Sequence, residues 1–349
     1  MIDSIRLWYD TREAPMIDNS LLFANTIGLV RKTKDKYVSN THTEYYQACL
    51  PYPNYVKEGD GWDIYQFHTG IRIDGSLCKW HFGQNADTLT LCDAIEAVRQ
   101  LAEALGTTYE DLTRYSVIQL LDWSSNVITD YAPSLYYIHL DELPNYKRFK
   151  DWDETIYYTL EAKKIRIYDK VAEANKNKMQ LPTWAFNKHL LRFELSWTRL
   201  YETELYKLSK PYDAKKLGSK TVFLEDILTE QAFTRLIEIW IETYESIIKT
   251  KTPYGTMELD NDVMKPHDLA MQAVAILIGE AGTETLNKTI DAMALTHPRF
   301  NKRQIREAKG YIKNWHKDAP TPYADLIQEL NYKMRMKAES LKRNLHQCT

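Results

Sequence analysis

The sequence predicts an α+β fold with a central antiparallel sheet and flanking helices, followed by a mainly α-helical C-terminal region. Residues 190–197 alternate strictly between apolar and polar side chains, as a strand with one buried face does. Residues 88–105 repeat apolar side chains at helical spacing and stop at Gly106. From about residue 222 onward, helical patterns replace strand patterns. We therefore expect one α+β domain over residues 1–220 and a helical region over residues 221–349.

The N-terminal quarter is rich in short strand patterns. A first strand is predicted at residues 4–9, and further strands at 62–68 and 70–75 lie around turns. Residues 76–85 have no clear periodicity. A later strand at 115–123 ends in a single carboxylate, Asp122, whereas residues 135–141 fit either a strand or a helix.

A hairpin is predicted to present Tyr168. Its strands are residues 155–159 and 165–168, with Arg166 and Tyr168 on the polar face, and Asp169 is placed to cap a helix that continues to residue 180. Nearby positive charge, including Lys170, would lower the phenol pKa from its usual value of about 10. Tyr168 could then attack a phosphodiester; the alternative is an ordinary half-buried tyrosine, one of 24 in the chain.

The strand at 190–197 is predicted to have one apolar and one polar face. Arg192 and Glu194 share the polar face. The other face points to the core through Leu191, Phe193, Leu195 and Trp197.

Composition sets limits on the class of protein. The 349 residues are 44% hydrophobic and 27% charged, which is typical of a globular protein. The four cysteines form no CxxC pair, so a zinc knuckle or redox motif is excluded and a reducing cytoplasm is expected. Acidic and basic residues interrupt the N-terminus, and no run approaches ~20 apolar residues, so we expect neither a signal peptide nor a membrane span.

Positive charge is concentrated in two segments although the net charge is −3. Residues 163–192 contain eight Lys and Arg against two Asp and Glu, and residues 299–349 contain twelve against five. Helices are predicted at 227–249, at 267–280, and in the basic stretches 299–315 and 323–345. The basic helices could contact DNA phosphates, or they could be solvated amphipathic faces.

Several segments share their order and spacing with a known family. The first runs from residue 71 to residue 79 and on to Gly83-Gln84-Asn85, ahead of the 88–105 helix. The second is the strand that ends at Asp122. Two positions depart from the motifs of that family. Gln84 stands where the family has histidine, and Leu121 is the second of two leucines that precede Asp122 where the family has Arg-Ile.

The third segment contains Tyr168-Asp169-Lys170 with Glu173 downstream. The strand Arg192-Phe193-Glu194 follows it in the chain. Together the three segments resemble the rolling-circle replication initiators of filamentous phages, the gene II/gene X replication protein family, and more loosely plasmid initiators. The resemblance covers about residues 70–210. It implies a site-specific nick at a replication origin, in which Tyr168 becomes linked to the 5′ phosphate and the free 3′ hydroxyl primes synthesis. The enzyme later rejoins the displaced strand.

The same resemblance implies a metal-dependent site. Mg²⁺ or Mn²⁺ would clamp the scissile phosphate, with Asp122, Glu194 and Glu173 as the expected ligands. Lys170 would stabilise the phenolate or the phosphorus centre. His139 and His81 are alternative ligands, because no His-hydrophobic-His pair exists. Contacts to the DNA are expected from four cations: Lys163, Lys164, Arg166 and Arg192.

Two other functions stay open at this stage. One is a non-catalytic DNA-binding replication regulator, and the other is a relaxase-type or transposase-type nickase. Tyr157 and Tyr158 are alternative nucleophiles on the neighbouring strand. The expected partners are origin DNA, single-stranded at the nick, and by analogy a host helicase and polymerase in the host cytoplasm.

Overall fold

The computed structural model describes most of the chain. The described residues are 1–15, 17, 27–35, 42–52, 61–67, 69–137, 139–151, 155–200, 221–249, 290–292, 301–307, 309–310 and 323–345.

The described part of the chain contains one ten-stranded sheet in which each neighbouring pair is antiparallel. The strand order is β2-β3-β4-β5-β1-β6-β10-β9-β8-β7. The predicted α+β class is therefore confirmed. The strands are β1 (Ile2–Tyr9), β2 (Ile27–Asp35), β3 (His42–Pro51), β4 (Gly61–Phe67), β5 (Gly70–Ser76), β6 (Ser116–Thr129), β7 (Lys147–Asp151), β8 (Thr155–Leu160), β9 (Lys163–Asp169) and β10 (His189–Thr198).

Helices connect and cover these strands. The predicted 88–105 helix is present and ends as expected at Gly106, whose φ of 72° is the left-handed conformation that glycine adopts without strain. The described helices are α1 (Leu77–Phe82), α2 (Leu91–Leu105), α3 (Tyr109–Tyr115), α4 (Pro133–Tyr137), α5 (Lys170–Lys176), α6 (Leu224–Ile227), α7 (Glu230–Ser246) and α8 (Tyr323–Arg343), with a 3₁₀ turn at Thr183–Ala185.

The sheet has an apolar face that packs against α7. Phe193 and Trp240 lie with ring centroids 5.6 Å apart, and Trp123 and Phe233 lie 5.0 Å apart. The indole Nε1 of Trp240 also donates to the carbonyl of Phe193 at 3.0 Å. Helix α8 is joined to α7 in turn, because the Tyr244 hydroxyl donates to Asn331 Oδ1 at 2.7 Å. The predicted division of the chain near residue 220 stays a prediction.

Three local predictions need correction or completion. The segment after β5 is the short helix α1, whose N-cap Ser76 accepts a hydrogen bond from the Lys79 amide. The undecided 135–141 segment begins in helix α4. Helix α5 stops at Lys176 rather than continuing to residue 180, because the chain turns at Lys178, where φ is 55°.

The C-terminal predictions are tested only in part. The 267–280 helix lies outside the described residues, and the 299–315 helix is described only at 301–307 and 309–310. Within the described chain, no helix combines the length and apolar character needed to cross a membrane.

Replacing Trp240 with alanine should lower the free energy of unfolding by about 3–5 kcal/mol, since it removes a fully buried ring and its hydrogen bond. Urea denaturation measures the change. Tyr332→Ala, at a side chain that is 64% exposed, is the control and should stay within about 0.5 kcal/mol of wild type. Equal destabilisation by the two variants would contradict the packing of α7 on the sheet.

Candidate active site

The face of the sheet opposite α7 carries a patch of polar side chains on β6, β10 and β9, which we call the polar patch. Directly opposed residues of antiparallel strands point to the same face. The register therefore aligns the patch in rows across the three strands. The rows are Asn126, Arg192 and Tyr168; then Ser124, Glu194 and Arg166; then Asp122, Ser196 and Lys164.

Tyr168 lies half-buried near the end of β9, and its hydroxyl donates to Glu194 Oε2 at 3.3 Å. Burial raises the pKa of Tyr168 to about 12, while the nearby Arg192 acts in the opposite direction. The predicted lowering of this pKa is therefore wrong, because desolvation of the phenolate outweighs the local positive charge. The phenol is protonated at neutral pH, and Glu194 is placed to receive its proton.

Arg166 joins the two carboxylates that were predicted to bind metal. Its Nη2 donates to Glu194 Oε1 through a short contact and lies 3.5 Å from Asp122 Oδ2. Burial raises the pKa of Asp122 above its ordinary value, and the neighbouring Ser196 hydroxyl and then the attraction of Arg166 only partly offset this effect. The other oxygen of Asp122, Oδ1, is buried and receives no hydrogen bond from any described residue.

Arg192 is the centre of the buried part of the patch. Only 2% of the residue is exposed, so it faces the protein interior and does not offer the surface contact to DNA that was predicted. Its Nη1 donates to the Asn85 carbonyl at 2.6 Å. Its Nη2 donates to Asp3 Oδ2 at 2.5 Å and to Ser124 Oγ at 2.6 Å.

Asp3 holds this guanidinium from β1. Burial on its own would raise the pKa of Asp3, but Arg192 and then Lys170 lower it below its ordinary value. The hydroxyl of Ser76 donates to the second oxygen of Asp3 at 3.0 Å. Asp3 is therefore an ionised carboxylate that fixes Arg192.

Lys170 and Glu173 form a neighbouring pair at the start of α5. Asp169 caps this helix as predicted, accepting from the amides of Val171 and Ala172. The Lys170 ammonium is 1% exposed and donates to Glu173 Oε2 at 2.7 Å. Burial lowers the pKa of Lys170 to about 8. Of the three predicted metal ligands, Glu173 is therefore paired with Lys170, whereas Asp122 and Glu194 are bridged by Arg166.

The two histidines that were predicted as alternative metal ligands do not lie on the three strands of the polar patch. His81 Nε2 lies 3.6 Å from Asp93 Oδ1 at the start of α2. His139 is fully buried in the segment after α4. The next two residues, Leu140 and Asp141, accept hydrogen bonds at their carbonyls from the Tyr158 hydroxyl on the apolar face.

The two alternative nucleophiles lie on opposite faces of β8. Tyr158 is fully buried on the apolar face. Tyr157 is opposed to Arg166 on the polar face, and the Lys164 ammonium lies 4.5 Å from the centre of its ring. Lys164 is the exposed member of the polar patch, whereas Lys163 belongs to the other face by strand alternation.

The basic helix α8 uses much of its charge within the protein. Lys333 pairs with Asp130 at 2.5 Å and with Glu329 at 2.7 Å. Arg335 pairs with Glu245 at 2.8 Å. These ion pairs reduce the positive charge that the predicted phosphate-binding face offers to DNA.

Sequence reasoning missed Asp3, Ser76 and Ser124. Asp3 is the only acid in the first strand and stands between apolar residues and Ser4, and that position was the available signal. Its partner, Arg192, is 189 positions away in sequence, so no local pattern connected the two.

Comparison with known families places this geometry in context. Residues 1–215 match the family Phage_CRI, described as the N-terminal part of a replication-associated protein, the gene II protein of filamentous phages. The matched segment contains the whole polar patch. No curated protein matches the chain.

Proposed function

Because this chain belongs to the Phage_CRI family of replication-associated proteins, we propose that it initiates rolling-circle DNA replication by nicking one strand at an origin through Tyr168 and later rejoining it. The observation that carries the assignment is the 3.3 Å contact between the Tyr168 hydroxyl and Glu194 Oε2, flanked by Arg166. A nucleophile, a proton acceptor and a cation within one contact network meet the requirements of covalent catalysis on a phosphodiester.

The proposed step conserves the phosphodiester bond energy. The Tyr168 oxygen attacks phosphorus while its proton passes to Glu194 Oε2. The bond from phosphorus to the 3′ oxygen breaks, and that oxygen takes a proton from water and leaves as the 3′ hydroxyl. The 5′ phosphate stays on Tyr168, so a later attack by a 3′ hydroxyl reverses the step and rejoins the strand.

The cations of the site have separate proposed roles. Arg166 has 35% of its side chain exposed, so its guanidinium can turn from Glu194 toward a phosphate oxygen. Lys170, two positions after the nucleophile, is assigned to the charge that develops on phosphorus. Its side chain is 1% exposed, so its ammonium must turn from Glu173 to meet the phosphate. Arg192 is a positioning residue, because its buried guanidinium contacts Asp3 and approaches Glu194 Oε2 at 3.4 Å.

A divalent cation fits the carboxylates of the patch. Among the described residues, no three His, Cys, Asp or Glu side chains already converge into a metal cluster. Asp122 nevertheless has a buried oxygen without a hydrogen bond from the described chain, and hard oxygen donors suit Mg²⁺ or Mn²⁺. We propose that Asp122 and Glu194 hold the ion once Arg166 turns away. When bound, the ion would polarise the scissile phosphate.

The proposed reaction also defines partners. A nick alone does not unwind a duplex, so we propose that a host helicase and polymerase in the host cytoplasm act on the exposed 3′ hydroxyl. The DNA at the nick is single-stranded, and Lys164 and Arg166 are the cations on the polar face available to its backbone.

Tyr168→Phe should abolish covalent protein–DNA adducts, since the ring is kept and only the attacking oxygen is removed. Wild type and variant are incubated with Mn²⁺ and single-stranded oligonucleotides tiled across the parent replicon, and adducts are resolved on denaturing gels. Glu194→Gln should slow adduct formation by about 10²–10⁴-fold, the usual range for a lost general base.

Tyr157→Phe is the matched control, because Tyr157 lies on the same face of the adjacent strand, and it should form adducts at the wild-type rate. Adducts that persist in Tyr168→Phe would refute the choice of nucleophile. Salt-sensitive DNA binding without any adduct in wild type would favour a non-catalytic regulator. Adducts formed only with transfer-origin or transposon-end sequences would favour the relaxase-type alternative.

Adduct formation should fall as pH rises through about 8, because the pKa of Lys170 is about 8 and the ammonium is present only below that pH. Lys170→Met should be about 100-fold slower than wild type at pH 6.5, and the two rates should converge above pH 9. Single-turnover rates across pH measure the effect. Lys176→Met, on the exposed side of the same helix, should keep the wild-type profile. Parallel profiles for wild type and Lys170→Met would exclude this role.

Mn²⁺ should raise the melting temperature of the wild-type protein, since a ligand bound only to the folded state adds about 2.7 kcal/mol at 100 times its Kd. Asp122→Asn should remove most of that rise. Asp130→Asn, at a side chain that is 65% exposed, is the matched control and should keep it. Differential scanning fluorimetry without DNA measures the shift, and an unchanged rise in Asp122→Asn would place the ion elsewhere.

A further inference from the structure

A groove of about 550 Å³ opens at the end of β6, between that strand and α8. We call it the β6 groove. Its volume falls in the range of small-molecule sites. The side chains that define it are Asn126, Ile128, Trp184, Lys333, Met336 and Lys337.

The β6 groove adjoins the polar patch. Asn126, Arg192 and Tyr168 are directly opposed on consecutive strands and share a face. With about 4.8 Å between neighbouring strands, Asn126 lies about 10 Å from Tyr168 across the sheet. One loop joins the two places, since the Asn85 carbonyl accepts from Arg192 and the Ala86 carbonyl accepts from Asn126.

Large apolar side chains line the groove yet stay exposed. Ile128 is 45% exposed, Trp184 41% and Met336 42%. Such a cluster on a surface marks a binding site. The indole of Trp184 is held in place, because its Nε1 donates to Asp87 Oδ1 at 2.7 Å. The ring is therefore available as a stacking platform.

Asn126 provides a hydrogen-bond acceptor that the described chain leaves unused. The residue is 6% exposed, and its Nδ2 donates to the Ala86 carbonyl at 2.6 Å. That contact fixes the orientation of the amide. Its Oδ1 is buried and receives no hydrogen bond from the described residues. A buried acceptor of this kind requires a donor from a ligand or from water.

Positive charge is available on the α8 side. Lys337 Nζ contacts Thr88 Oγ1 at 3.3 Å. The nearby Asp87 attracts it, but the Asp87 carboxylate accepts from Trp184 and Gln84 and forms no ion pair with Lys337 within the described chain. Lys333, by contrast, is paired with Asp130 and Glu329. Lys337 is therefore the cation of the groove that can meet an anionic ligand.

We propose that the β6 groove binds an unstacked base of single-stranded DNA next to the phosphate that Tyr168 attacks. The base stacks on Trp184, its amino or imino hydrogen donates to Asn126 Oδ1, and Lys337 meets the adjoining phosphate. The position of this base relative to the cut rests on the proposed nicking function. Duplex DNA does not suit the site, because a paired base cannot offer its face to the indole.

The test uses the full chain carrying Tyr168→Phe, so that binding is measured without cleavage. The probe is fluorescein-labelled (dT)15, and affinity is measured by fluorescence anisotropy. Trp184→Ala should weaken binding by about 5- to 100-fold, and Trp184→Phe should restore most of the affinity. Phe186→Ala is the matched control, because this aromatic side chain is 59% exposed and close in sequence but does not line the groove.

A second set of probes tests whether the affinity lost in Trp184→Ala comes from a lost contact with one base. In the Tyr168→Phe protein, (dT)15 variants with one abasic position, moved along the strand, should bind more weakly at one or two positions. Trp184→Ala should remove that sensitivity, as expected for two groups in contact. Lys337→Gln should reduce the slope of log affinity against log salt by about one.

The outcomes separate this inference from the nicking proposal. Equal affinities for Trp184→Ala, Phe186→Ala and the parent, or no binding by the parent, would overturn the base site even if Tyr168 forms adducts. Trp184-dependent binding in a protein that forms no adduct would retain the base site and refute the nuclease. If Trp184→Ala changes the sedimentation of the protein but not its affinity for DNA, the groove holds a second copy of the chain and the inference is wrong.

Discussion

The buried guanidinium of Arg192 is the interaction on which the polar side of the sheet depends. It ties β10 to Asp3 on β1, to Ser124 on β6 and to the Asn85 carbonyl in the loop that precedes α2. A buried charge without partners is strongly destabilising. The contacts of Arg192 with β1, with β6 and with the loop must therefore all form when the chain folds. Once they do, Glu194 and Tyr168 are held at neighbouring positions.

The sheet separates stability from chemistry. On one face, Trp123 and Phe193 pack against the aromatic side chains of α7 and form the core. On the other face, β6 and β10 place Asp122 and Glu194 in contact with Arg166 of β9. Strand alternation makes this division possible, because each residue that enters the core places its neighbour on the polar side.

For Tyr168 and Lys170, burial shifts the pKa more than local charge does, whereas for Asp3 the charges of Arg192 and Lys170 outweigh burial. Burial raises the pKa of Tyr168 to about 12 and lowers that of Lys170 to about 8. The phenol therefore begins as a neutral group that needs a proton acceptor, and the lysine titrates near physiological pH. A phosphate entering the patch would bring negative charge to cations that are already partly desolvated, where electrostatic interactions are stronger than in water.

The sequence by itself determined the fold class, the hairpin that carries Tyr168, the two faces of β10 and the cap at Asp169. Each of these is a local pattern, because alternation, helical spacing and capping act over a few neighbouring residues. Only the tertiary structure decided that Arg192 is internal, that Asp3 is its partner, and that Asn126 and Trp184 meet α8 in one groove. Those contacts join residues distant in sequence, and the desolvation that shifts the Tyr168 pKa exists only after the chain has packed.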